Sequence, residues 1–211
     1  MTESLADARP VNARGKSKEK HARILDASMN VFLERGFEGA SVDHIAAEAN
    51  VSKQTIYNHF GDKASLFRAV CRRLSDDLAR SIAQAPNARE DVKAALMRMG
   101  RVYLDLVLAP GALALHRIII GEIGRFPELG RTIYADGAAR FLGALAEWLR
   151  ERDRAGELRV EDAAAAAEDF IALVRGNRQI RALLGVEETR GLARAQAVRR
   201  AVDLFLRAHA P

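Results

Sequence analysis

Residues 41–62 constrain the fold more than any other stretch. Ser41 and Ser52 are both well placed to start a helix, because a serine hydroxyl accepts from the free N–H groups of a first turn. Between them, Val42, Ile45, Ala46 and Ala49 form one apolar face that is only about two turns long. Asn50 follows, a residue that tolerates the left-handed conformation ending such a helix. Val51 is expected to pack inward, and the next helix runs from Lys53 to about Phe60. Its core side is set by Ile56 and Phe60, spaced i,i+4. Gly61 breaks that helix and Asp62 caps another. Two short capped helices around a sharp turn form a helix-turn-helix arrangement.

The surrounding chain is helical in pattern throughout. A first helix is expected over residues 17–35, where Ile24, Leu25, Met29, Phe32 and Leu33 recur at helical spacing before Gly36. The fourth helix carries Leu66, Phe67, Val70, Leu74 and Leu78. Pro86 marks a boundary, and Pro110 starts a further helix. Longer helices are expected through residues 89–109, 111–126, 127–156, 160–185 and 187–209, with Gly130, Gly137 and Gly143 leaving the continuity of 127–156 open. The alanine run 163–167 continues an apolar helix face. No alternating strand segment or hairpin signal occurs. The fold class is therefore all-α. The expected parts are a flexible basic arm (1–16), a helix-turn-helix domain (17–62), a connecting helix (63–85) and a larger helical regulatory and dimerisation domain (86–211).

Composition excludes several function classes. With 49% hydrophobic residues in 211, a useful core forms without staples. The single cysteine, Cys71, rules out an intramolecular disulfide and a multi-thiolate zinc site. His21, His44, His59, His116 and His209 are scattered, with no metal-ligand spacing, so no metal and no cofactor are expected. No spacing assembles a nucleophile, base and orienting group, so the chain is not read as an enzyme. No apolar run approaches bilayer length, and the expectation is a cytoplasmic protein without a membrane partner.

The net charge is a modest +5, but it is unevenly placed. Arg9, Arg14, Lys16, Lys18, Lys20 and Arg23 lead into the first helix, opposed only by Glu19, and form a plausible phosphate footprint. A short third helix makes sense if its outer face enters a major groove, which is wide enough for one helix. Gln54, Thr55 and Asn58 have the hydrogen-bonding capacity for base edges. Lys53 and His59 suit the phosphate backbone, with His44 on the second helix as a further neighbour. Tyr57 either supports the turn or reaches a phosphate. Taken singly, each of these is equally an ordinary solvated helix residue.

The combined pattern over residues 24–70 resembles the TetR family of transcriptional regulators. Gly36 and Phe37 match its Gly-aromatic bend, Ser41 its hydroxylated cap, and Ile45 and Ala46 its Ile-Ala pair. Val51 and Ser52 match the turn, Tyr57 and Phe60 the recognition helix, and Lys63, Leu66 and Phe67 the start of the fourth helix. The chain departs from the pattern at Asn50, where Gly is usual, and at Gln54, where a small or basic residue is frequent. The resemblance implies a DNA-facing role for Thr55, Tyr57 and His59, extended to Ser52, Lys53, Gln54 and Asn58. Lys18, His44 and Lys63 complete the expected contact set. It also implies a homodimer on a semi-palindromic double-stranded operator and a small-molecule effector; repression is the expected outcome because an occupied promoter blocks polymerase, with activation left open. Further on, "GEIGRFPEL" before a helix containing Trp148 resembles one subgroup of these regulators.

Two regions of the larger part bear on those expectations. Tyr103, His116, Phe126, Tyr134, Trp148 and Arg175 offer an apolar and aromatic lining with polar handles, fitting either a ligand site or an ordinary core. Ile171, Leu173, Val174, Leu183 and Leu184 on one helix, and Leu192, Val198, Val202, Leu204, Phe205 and Leu206 on the last, supply apolar material for a partner surface or for the monomer's own core. An all-helical enzyme on a small apolar substrate, and a structural helical dimer, are the competing function classes.

Overall fold

A computed structural model describes residues 11–83, 91–186 and 192–211. All regular structure among them is helical. The chain divides into two compact units, Met1–Val70 and Cys71–Pro211.

The first unit opens with α1 (Val11–Gly39), which starts ahead of the expected Ser17 because Ala13, Arg14 and Lys16 are good helix formers. Gly36 has φ 70° and kinks the helix where the sequence marks its end. Then come α2 (Val42–Glu48), α3 (Lys53–Phe60) and α4 (Lys63–Ala83), the last running through the division between units. Ile24, Phe32, Ile45, Ile56, Leu66 and Phe67 are buried in the core of this unit. Phe67 meets Phe32 and Phe37 edge-on, with ring centroids 4.9 and 5.1 Å apart. Leu74, Leu78 and Pro86 lie outside the residues whose side chains are described.

The second unit contains α5 (Val92–Val107), α6 (Pro110–Glu122), α7 (Pro127–Asp136), α8 (Ala138–Arg154), α9 (Ala163–Arg175), α10 (Arg178–Leu183) and α11 (Leu192–Ala208). Pro110 starts α6 as expected, but three longer helices are interrupted. The helix from Pro110 stops at Glu122 rather than Phe126. Gly137, at φ −110° and ψ −90°, separates α7 from α8. Gly176, at φ 48°, separates α9 from α10.

Helices α5, α8, α9 and α11 form the core, with Leu96, Leu104, Leu145, Leu149, Phe170, Val174, Val198 and Val202 buried together. Gly100 lets α5 approach its neighbours closely: a Cβ there would lie 2.8 Å from Val198 Cγ1. Ala163, Ala166 and Ala167 are buried while Ala164 and Ala165 are exposed, so the alanine run lays one face on the core. Ion pairs Lys93–Asp203 (2.7 Å) and Arg194–Asp105 (3.1 Å) join α5 to α11 at its surface. Among the described residues no single helix is long and apolar enough to cross a membrane. One pair, α5 with α6, reaches that length and composition only across a 62° bend.

Candidate nucleic-acid interface

The turn is built from the residues that specify it. Ser41 Oγ accepts from the His44 N–H at 3.2 Å and starts α2. Asn50 is the only described non-glycine residue with positive φ, at 50°. Ser52 Oγ accepts from the Thr55 N–H at 3.1 Å and starts α3. Gly61, at φ 84°, ends α3. Asp62 Oδ1 then accepts from the Ser65 N–H at 2.6 Å. That hydrogen bond holds the Asp62 carboxyl below the usual carboxylate range.

One side of α3 is anchored and the other is open. Ile56 is buried, and Phe60, half-buried, stacks on the His21 ring of α1 at 4.7 Å. Lys53, Gln54, Tyr57, Asn58 and His59 are exposed, Tyr57 with 39% of its surface accessible. Lys18 on α1 and His44 on α2 are exposed as well.

Most of the open side chains hold internal partners. Gln54 Nε2 donates to Asn58 Oδ1 at 2.9 Å, one turn along α3. The Ser52 and Thr55 hydroxyls are 2.8 Å apart, and Thr55 is half-buried. His44 Nδ1 lies 2.8 Å from Ser41 Oγ, and its Nε2 lies 3.5 Å from Arg35 Nη1. Lys53 Nζ sits 2.8 Å from Asp43 Oδ2, and this hydrogen bond raises the Lys53 pKa above its ordinary value.

Lys63 differs from the rest of the expected contact set. Its ammonium donates to the carbonyls of Phe37 (2.9 Å), Glu38 (3.2 Å) and Ala40 (3.0 Å), and lies 4.8 Å from the Phe37 ring centroid. All three of its donors are thus directed at the bend after Gly36. Lys63 ties α4 to that bend and has no donor left for a phosphate.

The residues proposed for an effector site are dispersed in environment. Tyr103 and Trp148 are buried, and Tyr103 stacks on Phe141 at 5.6 Å. Burial raises the Tyr103 pKa, opposed by the charge of Arg175 and a hydrogen bond with it. His116 is half-buried with Nδ1 2.8 Å from the Ala112 carbonyl. Phe126 is half-buried beside Arg125, whereas Tyr134 is 56% exposed. Trp148 Nε1 is a buried donor with no acceptor among the described residues. Burial pushes the Cys71 thiol up to about 12, which leaves it protonated and unreactive. No cluster of three or more metal-ligating side chains occurs among the described residues.

Sequence reasoning overlooked Asp43, and it read Arg117 only as a cation for an anionic ligand or for solvent, not as a helix-closing residue. Asp43 carried a local signal, an acid in the first turn of α2. Arg117 did not: its guanidinium donates to the carbonyls of Leu183 (2.9 Å) and Ala182 (2.7 Å), closing the end of α10 from a distant segment.

Residues 24–70 match the tetR family of bacterial regulatory proteins, and residues 94–211 match the C-terminal domain of AefR-like transcriptional repressors. The chain belongs to the TetR family of transcriptional regulators. Its fold is similar to that of the flavonoid-responsive regulator FrrA, at 33% identity and a TM-score of 0.77 over 92% of this chain and 98% of that one. It is also similar to a TetR-family regulator from Mesorhizobium loti, at 26% identity and a TM-score of 0.79 over 92% and 98% of the two chains. Among curated relatives, the transcriptional activator FasR of Mycolicibacterium smegmatis is 34% identical over 89 residues, 42% of this chain. That match spans 41% of FasR, so the chain covers well under two thirds of that relative.

Proposed function

We propose that this TetR-family protein is a homodimeric, ligand-responsive repressor that binds a semi-palindromic DNA operator through α3. The observation that carries the reading is the α2–turn–α3 unit. Its caps and its left-handed Asn50 are formed, and it presents Lys53, Gln54, Tyr57, Asn58 and His59 from a helix short enough for one major groove. Thr55, Ser52, His44 and Lys18 complete the proposed contact set. Lys63 is left out, because its donors are committed to the bend.

Exposed apolar side chains support the dimer. Leu173 on α9, Ile180 and Leu184 on and beside α10, and Leu204 on α11 are each at least 40% exposed. Burying them against a second copy removes apolar surface from water. Two heads would then sit roughly 34–36 Å apart, one turn of DNA.

The effector is a small, largely apolar molecule. The unpartnered Trp148 N–H in an apolar core and the Tyr103–Arg175 pair support that assignment, and the flavonoid response named for FrrA favours an aromatic compound. The AefR-like domain supports repression, whereas FasR is named as an activator. No catalysis is involved, and the site of action is cytoplasmic DNA.

The test is selection of duplexes from a random-sequence pool, followed by sedimentation of the free and bound protein. The expected result is an enriched near-palindrome bound by a dimer, released by an aromatic compound from a screening panel. An unenriched pool, or a monomer at micromolar concentration with and without DNA, contradicts the proposal.

A further inference from the structure

We propose that the protein selects a second copy of itself through Asp169 on α9 and Arg200 on α11, an acid–base pair formed twice across the dimer. This inference rests on the homodimer reading above and names what makes that pairing selective. Leu173 and Leu204 are 40% and 47% exposed. One turn before each, on the same side of its helix, stands an exposed charge: Asp169 before Leu173, and Arg200 before Leu204.

Helices α9 and α11 pack antiparallel. Phe170 and Phe205 meet edge-on with ring centroids 5.3 Å apart, and a Cβ at Gly100 would touch both Val174 (3.4 Å) and Val198 (2.8 Å). Asp169 therefore stands level with Leu204, and Leu173 with Arg200. The surface has four corners, with the acid and the base diagonally opposed. A two-fold interface is self-complementary, so a contact from residue i to residue j is matched by one from j to i. Laid against a second copy, this surface brings Asp169 within one helical turn, about 5.4 Å, of the partner's Arg200. An arginine side chain spans that gap.

Neither charge is satisfied within one chain. The ion pairs that α11 makes with α5 use Asp203 and Arg194, and among the described residues no ion pair involves Asp169 or Arg200. Arg178, at the start of α10, adds a second positive charge near Arg200. Burial lowers the Arg178 pKa, and the charge of Arg200 lowers it further. A carboxylate arriving from the partner relieves that repulsion. Apolar burial is non-directional, so Leu173 and Leu204 alone would accept any chain with a similar apolar face. The charges fix the register and reject a partner that sets like charges together.

The experiment compares the full-length wild type with Asp169→Arg, Arg200→Asp and Asp169→Arg/Arg200→Asp, with thermal melting showing which chains are folded. Sedimentation over a concentration series gives the dimer dissociation constant of each chain. Native mass spectrometry with one chain isotope-labelled scores one-to-one mixtures. Each single variant sets two like-charge contacts in its own dimer, and its dissociation constant should rise about 100-fold or more. Mixing the two single variants restores both opposite-charge pairs, and their heterodimer should return to within about fivefold of wild type. The double variant should pair with itself and exclude the wild-type chain. If a charge-reversed chain does not fold, Asp169→Asn and Arg200→Gln take its place. Each loses two pairs and should weaken the dimer about fivefold to thirtyfold.

Single or neutral variants that dimerise as tightly as the wild type overturn the inference. So does a mixture of folded single variants that stays monomeric, because the two charges then do not meet across copies. Free exchange of the double variant with the wild type also overturns it. A wild type that is monomeric at micromolar concentration instead removes the homodimer reading, and this inference with it.

Discussion

The head and the larger unit are both all-helical, yet they are specified in different ways. In the head, each helix end is set by a residue at that end: Ser41, Asn50, Ser52, Gly61 and Asp62. In the larger unit, local signals such as Pro110, Asp162 and Gly176 are joined by contacts between distant segments. Gly100 admits the side chain of Val198, and Arg117 closes α10. Local specification suits a small unit with little core to spare, whose outer face must stay polar and free. Distributed packing suits a larger unit that can bury aromatic side chains on several helices.

Three substitutions sharpen that contrast, in descending order of effect. Ile56→Ala deletes a fully buried side chain of the small head and should cost about 2–5 kcal/mol. Hydrogen exchange should show amides near 42–67 losing protection while those of α5 and α9 keep theirs. Equal loss in both units would break the distinction.

Gly100→Ala adds a Cβ against Val198, a side chain without a flexible end. The overpacking should cost about 1–3 kcal/mol, offset in part by the better helix propensity of alanine. The effect should appear as a lower melting temperature with DNA affinity per folded molecule unchanged.

Asp62→Ala removes a cap and should cost about 0.5–2 kcal/mol. Since the folded Asp62 pKa is depressed, its stabilisation is present above the unfolded carboxyl pKa and is lost as pH falls through the folded value. The stability gap between wild type and variant should therefore close in acid, as measured by urea unfolding at a series of pH values.

The same contrast explains what could be read from sequence. The head was readable because caps and left-handed residues act within three or four positions of themselves. The larger unit was less so, because glycine alone does not announce a break. Gly100, Gly121 and Gly143 lie within helices, whereas Gly137 and Gly176 interrupt them. The outcome depends on neighbours that sequence spacing does not contain. For the same reason, a roll of aromatic residues did not separate buried Tyr103 and Trp148 from exposed Tyr134. Lys63 illustrates the limit within the head itself. Its charge and position suggested DNA, but its partners lie 23–26 residues earlier in the chain.

The central claim is that the exposed face of α3 reads DNA, and Tyr57→Ala tests it most directly. Tyr57 is exposed, so its removal should leave folding and self-association intact. Titration of a duplex selected by the wild type should show a loss of about 1–3 kcal/mol in binding, roughly fivefold to 150-fold in affinity. An unchanged affinity for that duplex, with the variant folded and dimeric, would contradict the account.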